Sequence, residues 1–486
     1  MTGHAHPQVD PGWFGLPRPA EVLPGSGRWQ ASAVRVTADD PQLTGEAARF
    51  ARELADLGIG YGDEATVRLV RGRAGVSSES FFIDVDDDIT IVVATAAGAF
   101  RATRQLLHNL RARRFVPRAR VRSSPSVPER GLHLDAARKH YPAEWIAHLL
   151  HTLADVGINA LQWHVSENEG FRVGSAAFPE IVSPEHISRT DAVRLADLAA
   201  DLHIDLIPSL DMPGHLRHVL AQHPRLRLPP TGDPLDDAAL NITDPAAVAF
   251  ALALIDDVAA LFPHSRRWHL GGDEFIDLTR THEHELLRRT AHERLGPSAS
   301  GFDLLTDFVN RVAAHLRGRG LAPRVWNDGM LRGEAVELDA DVALTWWTNW
   351  HPAMQPLQRA VRTGRELVNF NDGLLYHVLG EKAGYRYPTA ERIWGADWHP
   401  GLFPALPDGT RQELPAPYPA QLRGAFFSVW SDDPQAQTAH DVMRGIRRPL
   451  RAMAERSWNG GSTLSLAEFT ELEERIGTVA DTIGFP

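Results

Sequence analysis

Trp268-His269-Leu270-Gly271-Gly272-Asp273-Glu274-Phe275 is the stretch on which the reading of this chain turns. It ends an apolar run, turns through two glycines and presents two adjacent carboxylates. Like charges in a shielded pocket push one of two pKa values up. One protonated acid then stands beside one carboxylate at neutral pH, the pair needed to cleave an acetal-type bond. Asp-Glu pairs are also common at solvated helix starts, so the dipeptide acquires meaning only from its surroundings. Strand alternation puts His269, Gly271 and Asp273 on one face. Glu274 is therefore expected just past the last regular strand residue, with Gly271 and Gly272 supplying the unusual backbone dihedrals that bring it round.

Working outward, the same unit of strand, loop and helix recurs on both sides. Strands are predicted at 131–136, 160–166, 205–211 and 267–272, then at 323–328, 342–347, 366–371 and 425–430. Amphipathic helices are predicted at 142–156, 191–202, 245–261 and 302–319, with short or missing helices after strands five to seven. Helices at 434–456 and 464–483 follow. Eight short apolar strands in this alternation predict an α/β fold built on a TIM (β/α)8 barrel. Polar residues gather where each strand ends: Asp135 and Arg138, His164 and Glu167, Asp211 and His215, Asp273 and Glu274, Asn327 and Asp328, Trp347, Tyr376, then Trp430 and Asp432. The carboxyl ends of barrel strands carry active sites, and a random barrel would scatter such residues over both rims.

Before the barrel, alternating segments at 33–36, 65–70, 81–85 and 89–93 and helical spacing at 43–57 and 98–110 predict a small α/β domain. The Pro- and Ser-containing segment 122–128 reads as a linker. The expected organisation is an extended lead-in over 1–25, the α/β domain over 26–126, and the barrel with its C-terminal helices over 127–486. A net charge of -12 argues against nucleic acid or an anionic membrane as partner. With no cysteine, disulfides and thiolate zinc sites are excluded. No apolar run reaches the roughly 18 residues of a membrane span, and the first residues lack the basic start and apolar core of a signal peptide, so a cytoplasmic location is expected. The 13 tryptophans suit a sugar-binding pocket, since the C–H faces of sugars pack on indoles.

Several segments together resemble family 20 glycoside hydrolases, the β-N-acetylhexosaminidases: Arg130-Gly131-Leu132-His133-Leu134-Asp135-Ala136-Ala137-Arg138, Asp211-Met212-Pro213-Gly214-His215 and His269-Leu270-Gly271-Gly272-Asp273-Glu274. Val325-Trp326-Asn327-Asp328-Gly329 and Ser428-Val429-Trp430-Ser431-Asp432-Asp433 are similar to the bacterial, dispersin-like branch. The resemblance implies substrate-assisted retaining hydrolysis of terminal β-linked N-acetylglucosamine or N-acetylgalactosamine, an exception to the two-carboxylate scheme. It makes Glu274 the general acid and base, Asp273 the group that orients the substrate's acetamide, and Tyr376 a donor to the acetamide oxygen. Trp326, Trp347 and Trp430 would wall the pocket, Arg130 and Asp432 would hold ring hydroxyls, and Glu167, His164, His215 and His269 would support the substrate-binding site. The implied partner is an amino-sugar oligosaccharide, with no metal and no cofactor; oligomeric state is not legible. The chain departs from the family pattern at Gln162, where His is frequent, at Glu167-Asn168-Glu169, and at Asp432, where Glu is frequent. Two rival readings are a metal-dependent barrel hydrolase, using the histidines and acids at the strand ends, and a non-catalytic amino-sugar-binding protein.

Overall fold

The computed structural model describes residues 12–231, 235–279 and 284–477. It divides into two compact units, one containing the chain up to Ser126 with 155–157 and the residues from Ala454 onward, the other spanning 127–154 and 158–453.

The second unit is the barrel. Strands Glu129–Asp135, Ala160–Glu167, Asp205–Leu210, Arg267–His269, Ala322–Trp326, Ala343–Trp346, Leu367–Asn369 and Leu422–Trp430 are barrel strands one to eight. Each pairs in parallel with the next, strand eight pairs with strand one, and the ring closes. All eight lie where the sequence pattern put them. The long helices between the early strands start where capping chemistry starts them. Ser188 caps Arg189–Asp201, Asp244 caps Pro245–Ala259 with proline in the first turn, and Ser300 with Asp303 forms a capping box on Gly301–Gly318. Pro245–Ala259 buries Ala247, Val248, Ala251, Leu254, Ile255 and Val258, the spacing of a helix face packed on a sheet. After strands six and seven the helices shrink to one or two turns, Leu357–Arg362, Asp372–Leu375 and Ala390–Gly395. Among the described residues no helix is long and apolar enough to cross a membrane.

The barrel interior is closed at its amino-terminal mouth by charge. Glu129, 4% exposed, meets Arg324 Nη2 at 2.6 Å, Arg267 Nη2 at 3.2 Å and Arg423 Nε at 3.7 Å. Burial alone would raise the Glu129 pKa, but Arg324 and Arg267 outweigh it and hold the carboxyl below its usual range. Apolar and aromatic side chains, among them Ile207, Val368, Phe370 and Phe426, fill the middle.

In the first unit, a six-stranded sheet runs in the order Glu21–Trp29, Val116–Ser123, Phe81–Val85, Ile89–Val93, Gly60–Arg71, Ala33–Ala38. Helices Thr44–Asp56 and Ala96–Arg113 bury apolar faces in the same core. Two boundaries differ from expectation. The supposed lead-in is structured from its first described residues: Trp13, Phe14 and Leu16 are buried, and Glu21–Trp29 is an edge strand of the sheet. Pro24 and Gly25 made that strand look like a loop. An edge position tolerates proline, and the register shifts between Pro24 and Arg28. Residues 1–11 of the lead-in lie outside the described residues. The second correction is at the carboxyl end. The expected helices are Ala439–Asn459 and Leu466–Ile476, but the chain from Ala454 groups with the first unit, not the barrel. Trp458 is the reason, packing in that core with its indole N–H donating to Ser123 Oγ at 2.8 Å. Residues 478–483 of the second helix lie outside the described residues.

Glu129→Gln should deprive the Arg324 guanidinium, 1% exposed, of the carboxylate it is paired with. An uncompensated buried charge costs about 3–5 kcal/mol. Urea unfolding should show a loss of that order, and a loss below about 1 kcal/mol, as for an exposed pair, would contradict it.

Candidate active site

Strand four stops at His269, and the glycine turn after it overturns the strand's alternation. Gly271 has φ +79°, Gly272 φ +88° and Glu274 φ +39°. A Cβ on Gly271 would lie 1.5 Å from Asp211 Oδ1, so only glycine fits there. The turn brings the Asp273 and Glu274 side chains to the same cavity, of about 280 Å³, at the carboxyl ends of the strands. A non-glycine residue at positive φ is strained and characteristic of functional sites. The two acids differ in exposure: the Asp273 side chain is 12% exposed and the Glu274 side chain 49%. One lies in the depth of the pocket, the other at its mouth.

Burial, then Asp211, pushes the Asp273 carboxyl well above the usual range, and burial does the same to Asp211. A hydrogen bond with Asp273 and another from the Gly272 amide pull Asp211 back down against its burial. His215 works against the upward shift of Asp273 and favours its anion. The Asp273 Oδ1 atom is buried and takes no hydrogen bond from any described residue, which leaves it an unused acceptor.

Behind this pair stands His215. Its Nδ1 is bonded to Glu167, and its Nε2 lies 3.7 Å from Asp273 Oδ2 and 3.6 Å from Glu274 Oε2. Burial lowers the imidazole pKa, but Glu167 and Asp273 outweigh it and hold it at about 10. The same contact, with Arg138, brings Glu167 down to about 2 against its burial. Asp328 fixes the opposite wall: it accepts from the Trp347 indole N–H at 3.0 Å and from the Glu274 amide at 3.4 Å. Burial raises it to about 6.

The indoles of Trp326, Trp347 and Trp430 line the cavity with Tyr376. Tyr376 owes its place to a short strand, Tyr376–Val378, that pairs with strand eight so that Tyr376 faces Ser428. Its ring lies parallel to Trp347 at 6.2 Å. Trp346, the neighbour of opposite parity, is buried away from the pocket and bonded to Asn349.

Eight of the expected site residues line the cavity: Asp273, Glu274, Tyr376, His215, Trp326, Trp347, Trp430 and Asp432. Four do not. Glu167 sits one layer back, holding Arg138 and His215. His164 is fully buried in the barrel, its Nδ1 3.1 Å from Ser209 Oγ, and burial lowers it to about 4. His269 is fully buried too, bonded to Thr345 and 4.3 Å from the Trp326 ring. Both support the indoles from below.

Arg130 is a correction. It is the second residue of strand one, fully buried, with its Nη1 donating to Val127 O at 3.0 Å. About 16 Å of strand separate it from the end that bears the site, at 3.3 Å per residue. The arginine in the pocket is Arg138, just past that strand. Its guanidinium is bonded to Asp135 at 3.0 Å and Glu167 at 2.6 Å, and lies 3.7 Å from Asp432. Its place at the strand end was the available signal. Asp211 carried the same signal. Tyr385, which also lines the cavity and donates to Asp372 at 3.2 Å, comes after an irregular turn and had none.

The model for the catalytic domain of glycosyl hydrolase family 20 matches residues 128–461. The chain belongs to glycosyl hydrolase family 20. Among curated proteins it is similar to a lacto-N-biosidase of Bifidobacterium bifidum, 27% identical over 97% of this chain and 42% of that one. It is also similar to a β-hexosaminidase of Vibrio vulnificus, 23% identical over 92% of this chain and 62% of that one. Among solved structures it is similar to a family 20 exo-β-N-acetylglucosaminidase of Vibrio harveyi in complex with N-acetylglucosamine. That likeness has TM-score 0.78 and 19% identity, covering 95% of this chain and 76% of the other. A β-N-acetylhexosaminidase of Bacteroides fragilis gives TM-score 0.75 and 20% identity, covering 98% and 99%. At these identities the structural likenesses show the fold. The chain spans less than half the length of the first curated relatives it matches.

The His215–Glu167 pair carries a pH signature. The folded imidazole pKa, about 10, exceeds the unfolded value of about 6.5. Its contribution to stability is therefore complete below the unfolded value and lost as pH rises through the folded one. Urea unfolding of the wild type should weaken across that window, and Glu167→Gln, which removes the main anionic partner, should weaken less steeply. Parallel pH dependence of the two proteins would contradict the assignment.

Proposed function

We propose that the protein is an exo-acting β-N-acetylhexosaminidase that removes terminal β-linked N-acetylglucosamine or N-acetylgalactosamine from oligosaccharides, with the substrate's own acetamide as nucleophile. One observation carries this reading. Asp273 and Glu274 share a small pocket walled by three indoles and Tyr376, one acid buried and the other at the mouth. A cavity of about 280 Å³ lies near the lower end of ligand sites, about 300–1,000 Å³, which suits a terminal sugar unit.

The chemistry arises from the two environments. The buried Asp273 carboxylate accepts from the acetamide N–H and turns the acetamide oxygen toward the anomeric carbon. Tyr376, its phenol kept neutral by burial, donates to that oxygen. As the C–O bond to the leaving group breaks, Glu274 gives it a proton, and the acetamide oxygen closes an oxazolinium ring. Asp273 offsets the positive charge that develops, in a site where little water screens it. Glu274 then takes a proton from water, which opens the ring with net retention. His215, positively charged between Glu167 and the two acids, orients both.

A second reading, release of lacto-N-biose, is favoured by a relative that aligns along 97% of the chain and is named a lacto-N-biosidase. Aryl β-N-acetylglucosaminide and aryl β-lacto-N-bioside assayed side by side separate the two, and turnover of the disaccharide glycoside alone would replace the first reading.

Glu274→Gln removes the proton donor, so substrates with poor leaving groups should lose far more than activated aryl glycosides, by the factor of about 10²–10⁴ that general acids supply. Asp273→Asn should impair both kinds, because the acetamide step accompanies departure of either. Equal damage to both kinds in Glu274→Gln would contradict the roles given to the two acids. A metal-dependent hydrolase would stop after dialysis against a chelator and recover with zinc or manganese. Substrate-assisted hydrolysis should be undiminished after the same dialysis.

A further inference from the structure

Two groups that line the pocket and one packed behind them make a pattern that the hydrolytic reaction does not need. Asp211, His215 and Asp273 each offer one ligand-capable atom, and those atoms lie within 4.8 Å of one another. The residues are 1%, 8% and 8% exposed. His215 Nε2 and Asp273 Oδ1 are buried and have no hydrogen-bond partner among the described residues. Glu167 holds the other imidazole nitrogen. A carboxylate on the far nitrogen fixes the ring and raises the basicity of the near one, the usual support of a metal-binding histidine.

We propose that this cluster is a binding site for zinc or a similar divalent transition metal, and that a metal bound there shuts the sugar pocket. Zinc displaces the Nε2 proton of His215 to solvent; one imidazole and two carboxylates then suit the ion, with ligand distances of about 2.0–2.2 Å reached by small side-chain shifts. Magnesium and calcium, which prefer all-oxygen shells, are disfavoured by the imidazole. Glu274 Oε2, 3.6 Å from His215 Nε2, is placed to complete the coordination. A bound ion occupies Asp273 and Glu274, the two acids that the amino sugar needs. Metal and amino sugar therefore exclude each other, and the metal acts as an inhibitor where a metal-dependent hydrolase would require it.

Calorimetric titration of the purified full chain with zinc chloride tests this without reference to activity. The 23 histidines of the chain can give weak surface sites, so the deciding quantity is the difference between proteins. The wild type should show one zinc equivalent that disappears in Asp211→Asn and in His215→Gln and weakens in saturating N-acetylglucosamine. Glu167→Gln keeps all three ligands and should weaken zinc by about 10–100-fold, as loss of an outer-shell partner does. It serves if either ligand variant fails to fold by circular dichroism. In steady-state assays, zinc should raise KM for an aryl N-acetylglucosaminide with kcat unchanged, and magnesium should do nothing. Zinc isotherms identical in the wild type and the folded variants overturn the site. A chain that binds zinc as described but hydrolyses no N-acetylhexosaminide overturns the proposed function and leaves the site standing.

Discussion

The Asp211 carboxylate approaches Gly271 so closely that a Cβ there would lie 1.5 Å from its Oδ1. Strand three ends at Leu210, just before that carboxylate, and strand four stops at His269, just before the two glycines at positive φ. The Gly272 amide donates to the same oxygen at 3.2 Å, locking the turn against the strand beside it. Everything chemical depends on this lock, because without it Asp273 and Glu274 would point to opposite faces. The backbone strain at Glu274 is held by the Asp328 carboxylate, which also fixes the Trp347 wall. The strained turn, the acid pair and one indole thus form a single hydrogen-bonded unit across strands three to six.

Electrostatics then give two neighbouring carboxyls different work. The barrel interior beneath them carries His133, His164 and His269, each held neutral chiefly by burial. The one imidazolium among these four, His215, is the one clamped by Glu167. Its charge reaches both acids at under 4 Å, so the pocket contains a fixed cation where an oxyanion or carboxylate must be oriented. Arg138 performs the corresponding task on the far side, joining Asp135, Glu167 and Asp432 into one network. The same compactness that tunes the acids brings three potential ligands within reach of one ion.

The barrel was legible in the sequence because each strand is a short apolar run with polar residues at a fixed place after it. The acid pair and the indoles were legible for the same reason, and Trp347 was separated from Trp346 by parity alone. Arg130 shows the limit of motif reading. Two arginines flank one strand, and only their distance from its carboxyl end distinguishes a barrel-bottom residue from a pocket residue. Glu21–Trp29 was missed because proline and glycine at an edge strand look like a loop. Tyr385 and the grouping of Trp458 with the first unit rest on contacts between distant segments, to which local periodicity is blind.

That the substrate supplies the nucleophile is tested most directly by the rate of an aryl β-glucoside against that of the matching aryl β-N-acetylglucosaminide. The glucoside has a plain hydroxyl in place of the acetamide. Lost contacts alone account for about 10- to 200-fold in an apolar pocket. Loss of a positioned intramolecular nucleophile, which contributes about 7–11 kcal/mol, must exceed that by orders of magnitude. Substrate-assisted catalysis predicts a kcat/KM ratio of several orders of magnitude in favour of the acetamido substrate. Comparable turnover of the two by the unmutated protein would contradict it.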